Sequence, residues 1–156
     1  MIEVFKNSYV SLETADYYFD ERLNSGRWEA AEQTDKEKAL ITASRKLDNL
    51  NFIGVKKSAE QPMAFPRNFS AGFPAEIPAD IQEAVCEEAL ALLEYGASVH
   101  AQNQELGIQS VSLGAGSVAY RDTKQGGLLS ADAYRLASKW VCKGFDIANP
   151  EFTEAD

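Results

Sequence analysis

The sequence predicts a mainly α fold: a four-helix core with a long Pro/Phe-rich loop and a small β-hairpin. Three observations predict it. Apolar residues recur at helical spacing in four separate windows. Residues 63–78, "MAFPRNFSAGFPAEIP", hold three phenylalanines and three prolines with no sustained period. Residues 108–121, "IQSVSLGAGSVAYR", alternate apolar and polar side chains on either side of a glycine-rich turn. The expected organisation is one helical domain over residues 1–143, with the hairpin at about 108–121, followed by an acidic tail over residues 144–156.

The first helix is expected from Ser11 to Leu23, with Leu12, Ala15, Phe19 and Leu23 on one face, Ser11 or Thr14 as its cap and Gly26 beyond its end. Residues 27–33, "RWEAAEQ", read as a connection that lays Trp28 over the core. Thr34 followed by Glu37 is a capping-box pattern, and Leu40, Ala43, Leu47 and Leu50 then repeat along the second helix. The third helix starts at Pro78, whose missing donor suits a first turn, with Asp80 at the positive end of the dipole. Ile81, Val85, Leu92, Gly96 and Val99 mark its stripe, with Ala84, Ala89 and Leu93 beside it, which suggests about six or seven turns. Ser130 caps a fourth helix that carries Ala133, Leu136, Ala137, Trp140 and Val141 and ends at Gly144.

Between the second and third helices lies the segment from Asn51 to Ile77. Proline biases the preceding residue away from helix, so Phe65, Phe73 and Ile77 are expected to be extended. A loop this long needs a packing or functional explanation. Either it is an apolar clamp on the helices or it docks another chain. Phe65 and Phe73 are expected to be buried, and Phe69, between polar neighbours, to meet a partner chain. The hairpin also calls for support, because an isolated two-stranded ribbon is marginal in water.

A chain of 156 residues with 45% hydrophobic and 25% charged composition reads as one globular domain. Its net charge of −9 argues against tight nucleic-acid binding, which draws its affinity from Lys and Arg releasing counterions. The closest basic groupings, Arg45–Lys46 and Lys56–Lys57, are short and separated. Cys86 and Cys142 are far apart in helix-like segments and read as reduced thiols. The opening "MIEVFKNSYVSLETAD" lacks the basic start and apolar run of a secretory signal, and no window approaches the ~20 apolar residues of a membrane span, so synthesis in the cytosol is expected.

No pattern in the chain points to catalysis. His100 is the one histidine, with neither a nucleophile motif nor zinc-ligand spacing around it. Glu83, Glu87, Glu88 and Glu94 could form an acidic stripe on the third helix, as Asp16, Asp20 and Glu21 could on the first, and both read as solvated faces. Gly114–Ala115–Gly116 and Gly126–Gly127 lack the lysine and strand-to-helix context of a phosphate loop. Phe65, Arg67, Phe69 and Phe73 are the candidates for stacking single-stranded bases, with one arginine among three aromatics. The expectation is a protein that is not an enzyme, with no catalytic, cofactor-binding or metal-ligating residue and no cofactor.

In order along the chain, "NSYVSLETADYYFDERL", "EKALITASRKLD", "FPR", "IPADIQEAVCEEALALL", "GIQSVSLGAGSVAY" and "LLSADAYRLASKWV" resemble the head–tail connector (adaptor) proteins of tailed bacteriophages, from about Asn7 to Val141. Relatives of these carry the label DnaT-like single-stranded-DNA-binding protein. The sequence departs from the commoner pattern in having Phe65 where tryptophan is frequent, and in its tail after Val141. The resemblance implies a virion protein of the phage neck, made in the host cytoplasm. It would form a homo-oligomeric ring, commonly of twelve copies, between the portal protein and a downstream tail or neck protein. Such a ring extends the DNA channel, with no specific DNA binding and no membrane contact. Phe69, Arg67, Val118, Tyr120 and Trp140 are the expected subunit or portal contacts. The alternative is a single-stranded-DNA-binding module built on Phe65, Arg67 and Phe69; a hydrolase using the glutamates of the third helix is the weakest of the three.

Overall fold

The helix that follows Pro78 organises the fold. In the computed structural model, which describes residues 1–69, 76–95, 110–113, 116–119 and 127–142, it is α4, Ala79–Tyr95. Before it come α1 (Leu12–Asp20), α2 (Gly26–Glu29), α3 (Gln33–Asp48), β1 (Val55–Lys56) and β2 (Arg67–Asn68). After it come β3 (Ser110–Leu113), β4 (Gly116–Ala119) and α5 (Ala131–Ala137). The described residues therefore make a mainly α fold of five helices with a small hairpin. None of these helices is long and apolar enough to cross a membrane.

Helix α4 packs α3 on one side and α5 on another, with α1 and α2 on further flanks. Its buried residues run from Ile81 through Ala84, Val85 and Cys86 to Ala89, Leu90 and Ala91, so it is sheathed over more of its circumference than a single stripe requires. The sequence expectation of six or seven turns extends past Tyr95 to Gly96 and Val99, which lie outside the described residues. His100 and Phe73 lie outside them too.

Several boundaries differ from the sequence expectations. Helix α1 is capped as expected, the Ser11 hydroxyl accepting the Thr14 N–H at 3.1 Å. It stops at Asp20, however, and leaves Leu23 86% exposed, because Asn24 turns the chain with φ +62°. The segment expected as a plain connection contains α2, which drives Trp28 into the core, stacked on Phe19 at 4.4 Å. The Trp28 indole N–H is satisfied by Asp16 at 2.8 Å, with Lys36 held above the ring. The capping box at Thr34 and Glu37 does not form. Helix α3 begins earlier, on the carbonyl of Glu32, so Thr34 lies inside its first turn.

The loop after α3 is partly ordered into an antiparallel ladder, Val55 opposite Asn68 and Lys56 opposite Arg67. Gly54 makes this possible. Its φ is +75°, and a Cβ there would stand 2.6 Å from the Asn68 carbonyl oxygen and 2.7 Å from the Phe69 ring. Phe65 is fully buried, edge-on to Phe52 at 4.8 Å and to Tyr9 at 5.7 Å, so for this residue the loop is an apolar clamp. Asp48 fastens the clamp: it accepts the Ala64 N–H at 2.7 Å and the Tyr9 hydroxyl. Burial, reinforced by that carboxylate, raises the Tyr9 phenol well above its ordinary pKa.

Helix α5 is capped by Ser130, which accepts the Ala133 N–H at 3.1 Å. It ends at Ala137 rather than reaching Gly144, because the following backbone is diverted into pairing with residues 51–53. Ile53 N–H donates to the Trp140 carbonyl at 2.8 Å and Cys142 N–H to that of Asn51 at 2.7 Å. In the hairpin, Ser110 pairs with Ala119, Val111 with Val118, Ser112 with Ser117 and Leu113 with Gly116. The sequence pattern places the turn at Gly114 to Ser117, but Gly116 and Ser117 belong to the strand.

Candidate interaction surfaces

Three of the expected contact residues converge on one short stretch of backbone, Phe52 to Gly54. The Arg67 guanidinium donates to the carbonyls of Phe52 (3.2 Å), Ile53 (2.7 Å), Gly54 (2.5 Å) and Ala64 (3.3 Å). Phe69 lies over Gly54 and meets Trp140 at 5.4 Å between ring centroids, while the Trp140 carbonyl takes the Ile53 N–H. The Trp140 indole N–H reaches Asp80 at 3.3 Å, and Lys139 pairs with the same carboxylate at 2.6 Å. The cluster therefore ties the Phe-Pro-Arg loop, the start of α4 and the chain beyond α5 together. Val118 sits elsewhere, on β4, and Tyr120 lies outside the described residues.

As a platform for stacked bases this cluster is poorly built. Phe65 is fully buried and has no face to offer, and four carbonyls engage Arg67. Phe69 and Trp140 are half-buried against each other. What the ribbon does present is apolar and basic: Val55 is 66% exposed, beside exposed Lys56 and Lys57.

The glutamates of α4 overturn the expectation of a solvated stripe. Glu87 and Glu88 are both buried. Glu87 accepts the Arg22 guanidinium through both oxygens (2.5 and 2.8 Å) and the Tyr18 hydroxyl at 2.6 Å. Burial and then that hydrogen bond raise the Tyr18 phenol; the bond to Glu87 raises Arg22. Glu88, with no exposure, accepts the backbone N–H groups of Leu129 and Ser130 at 2.9–3.0 Å. Lys46 stands 3.7 Å from it and donates to the Gly127 carbonyl at 3.1 Å. A burial signal is present in "AVCEEALALL", where apolar residues flank both carboxylates, and buried carboxylates require partners of this kind. The partners come from distant segments, so the sequence did not reveal them.

Between α1 and α4 runs a groove of about 220 Å³. Its floor includes Val10 and Cys86, both buried, and its rim carries Tyr17, Glu21 and Glu83. Cys86 and Cys142 are free, and burial pushes the Cys86 thiol up in pKa. Among the described residues, no group of three His, Cys, Asp or Glu side chains could hold a metal ion.

A family model described as "Putative DnaT-like ssDNA binding protein" matches residues 3–145. No curated protein and no solved structure matches the chain. Covering all but the ends of the sequence, the match shows that the chain belongs to the family of putative DnaT-like ssDNA-binding proteins.

Proposed function

We propose that the chain is a structural head–tail connector (adaptor) subunit of a tailed bacteriophage, assembling as a ring of twelve copies between portal and tail and extending the DNA channel. One observation carries this: the motif residues act as internal braces. Phe65 clamps the core, Arg67 closes its own loop, Glu87 holds Arg22 and Tyr18, and Glu88 holds the start of α5. Motif residues committed to internal contacts support a scaffold role over one in which they meet a substrate. The hairpin adds support, since a two-stranded ribbon is marginal on its own and a cyclic assembly would supply a surface for it. A net charge of −9 suits a channel through which DNA slides without adhering. The test is the composition of purified virions: this protein at a fixed ratio to the portal supports the proposal, and its absence from the particle overturns it.

A second function, single-stranded-DNA binding, is favoured by the family's description and by exposed Lys56 and Lys57 on the strand paired with Arg67–Asn68. It requires salt-dependent binding that weakens in Phe69→Ala. Binding indifferent to both salt and that substitution removes it.

A further inference from the structure

We propose that the β1 ribbon of one copy docks into the α1–α4 groove of a second copy, with Val55 on the apolar floor, Lys57 on the same face of the strand against Glu21 and Glu83, and Lys56 at the edge of the contact adding positive charge. The inference rests on the self-assembling function proposed above and names the contact that would build the assembly.

The two surfaces are complementary in both charge and polarity. With 24 acidic and 15 basic residues, the chain repels its own copies unless basic groups are placed at the contact. Of its two grouped basic pairs, Arg45–Lys46 has its lysine turned inward to Glu88 and Gly127. Lys56 and Lys57 make no ion pair among the described residues, and the Lys57 N–H bond to Pro66 at 3.1 Å keeps their backbone in the ladder. Beside them Val55 is 66% exposed, a large apolar surface for a β-branched residue.

The groove has the opposite character. Its volume, about 220 Å³, accommodates a valine side chain and the stem of a lysine. Glu83 makes no ion pair among the described residues, and Glu21 accepts the Tyr17 hydroxyl at 3.2 Å. Glu21 is also the C-cap of α1, whose last turn holds no basic residue, so the negative end of that helix adds to the attraction for a cation. A contact that pairs Lys with Glu over an apolar centre fixes orientation and penalises wrong partners.

Charge reversal with complementation tests the contact. Two variants are made, Lys56→Glu with Lys57→Glu, and Glu21→Lys with Glu83→Lys, and their folding is verified by circular dichroism. Self-association is measured by light scattering over a concentration series at low salt, with portal present if the wild type requires it. Each variant alone should need at least tenfold more protein to associate, and an equimolar mixture should recover wild-type association, since each altered ribbon then finds an altered groove. Variants that associate like wild type, or a mixture no better than its components, overturn the docking and leave the connector function standing. A wild type that associates under no condition removes both.

Discussion

The carboxylate of Glu88, in the middle of α4, accepts the backbone N–H of Ser130, the N-cap of α5, at 2.9 Å. With the second bond from Leu129, it serves as an internal cap that docks one helix on another. Replacing Glu88 with alanine removes this acceptor from two N–H groups and one partner from Lys46. The expected loss is about 3 to 5 kcal/mol, as for other broken buried ionic networks. Urea denaturation measures it, and Glu88→Gln, which keeps one acceptor oxygen, should fall between the two.

Phe65 and Phe69 should behave differently although they stand four residues apart. Phe65→Ala opens a cavity between Tyr9 and Phe52 and should cost about 3 to 5 kcal/mol. Phe69→Ala removes a half-buried ring and should cost about 1 to 2 kcal/mol. Equal shifts in the unfolding midpoint would show that Phe69 is as much a core residue as Phe65.

Gly54→Ala should destabilise by more than about 1 kcal/mol, because both its left-handed backbone and the nearby Asn68 carbonyl exclude a Cβ. The double variant with Phe69→Ala relieves the ring contact but neither the backbone strain nor the carbonyl. Its recovery should therefore be partial, as a double-mutant cycle would show.

Alkaline pH should weaken the fold. The Tyr9 phenol has a raised pKa in the folded chain, chiefly through burial, whereas the unfolded phenol ionises at about 10. Its stabilising contribution is complete below about pH 10 and is lost above it, by about 1.4 kcal/mol per pH unit while the folded phenol stays protonated. The buried Cys86 thiol acts in the same direction from about pH 8.5. Unfolding midpoints between pH 8 and pH 11 (roughly spanning the two ordinary pKa values) should fall, and less steeply in Tyr9→Phe.

The parts of the fold legible in the sequence are those with local causes. Ser11 and Ser130 announced their caps, and the periodic apolar residues announced α3 and the start of α4. Trp28 was recognised as a core residue, but not the short helix that delivers it. Partners distant in sequence decide the remainder. Thr34 and Glu37 satisfy a capping pattern that the earlier start of α3 overrides. Trp140 and Val141 continue a helical period, yet pairing with residues 51–53 pulls their backbone out of helix. Glu87 and Glu88 fit a charged face by spacing alone, and only Arg22, Lys46 and the α5 N-terminus explain their burial. The contact cluster was legible as a set of residue types but not as a geometry. Arg67 looked available to a partner, whereas it grips four carbonyls of its own chain.

The most direct test of the connector function is the mass of the purified protein by light scattering, alone and after mixing with its portal, alongside a single-stranded-DNA titration at low and moderate salt. The expected result is a large complex with portal and no DNA binding at moderate salt. A monomer that ignores the portal and binds single-stranded DNA in a salt-dependent manner would contradict the connector function and favour the DNA-binding one.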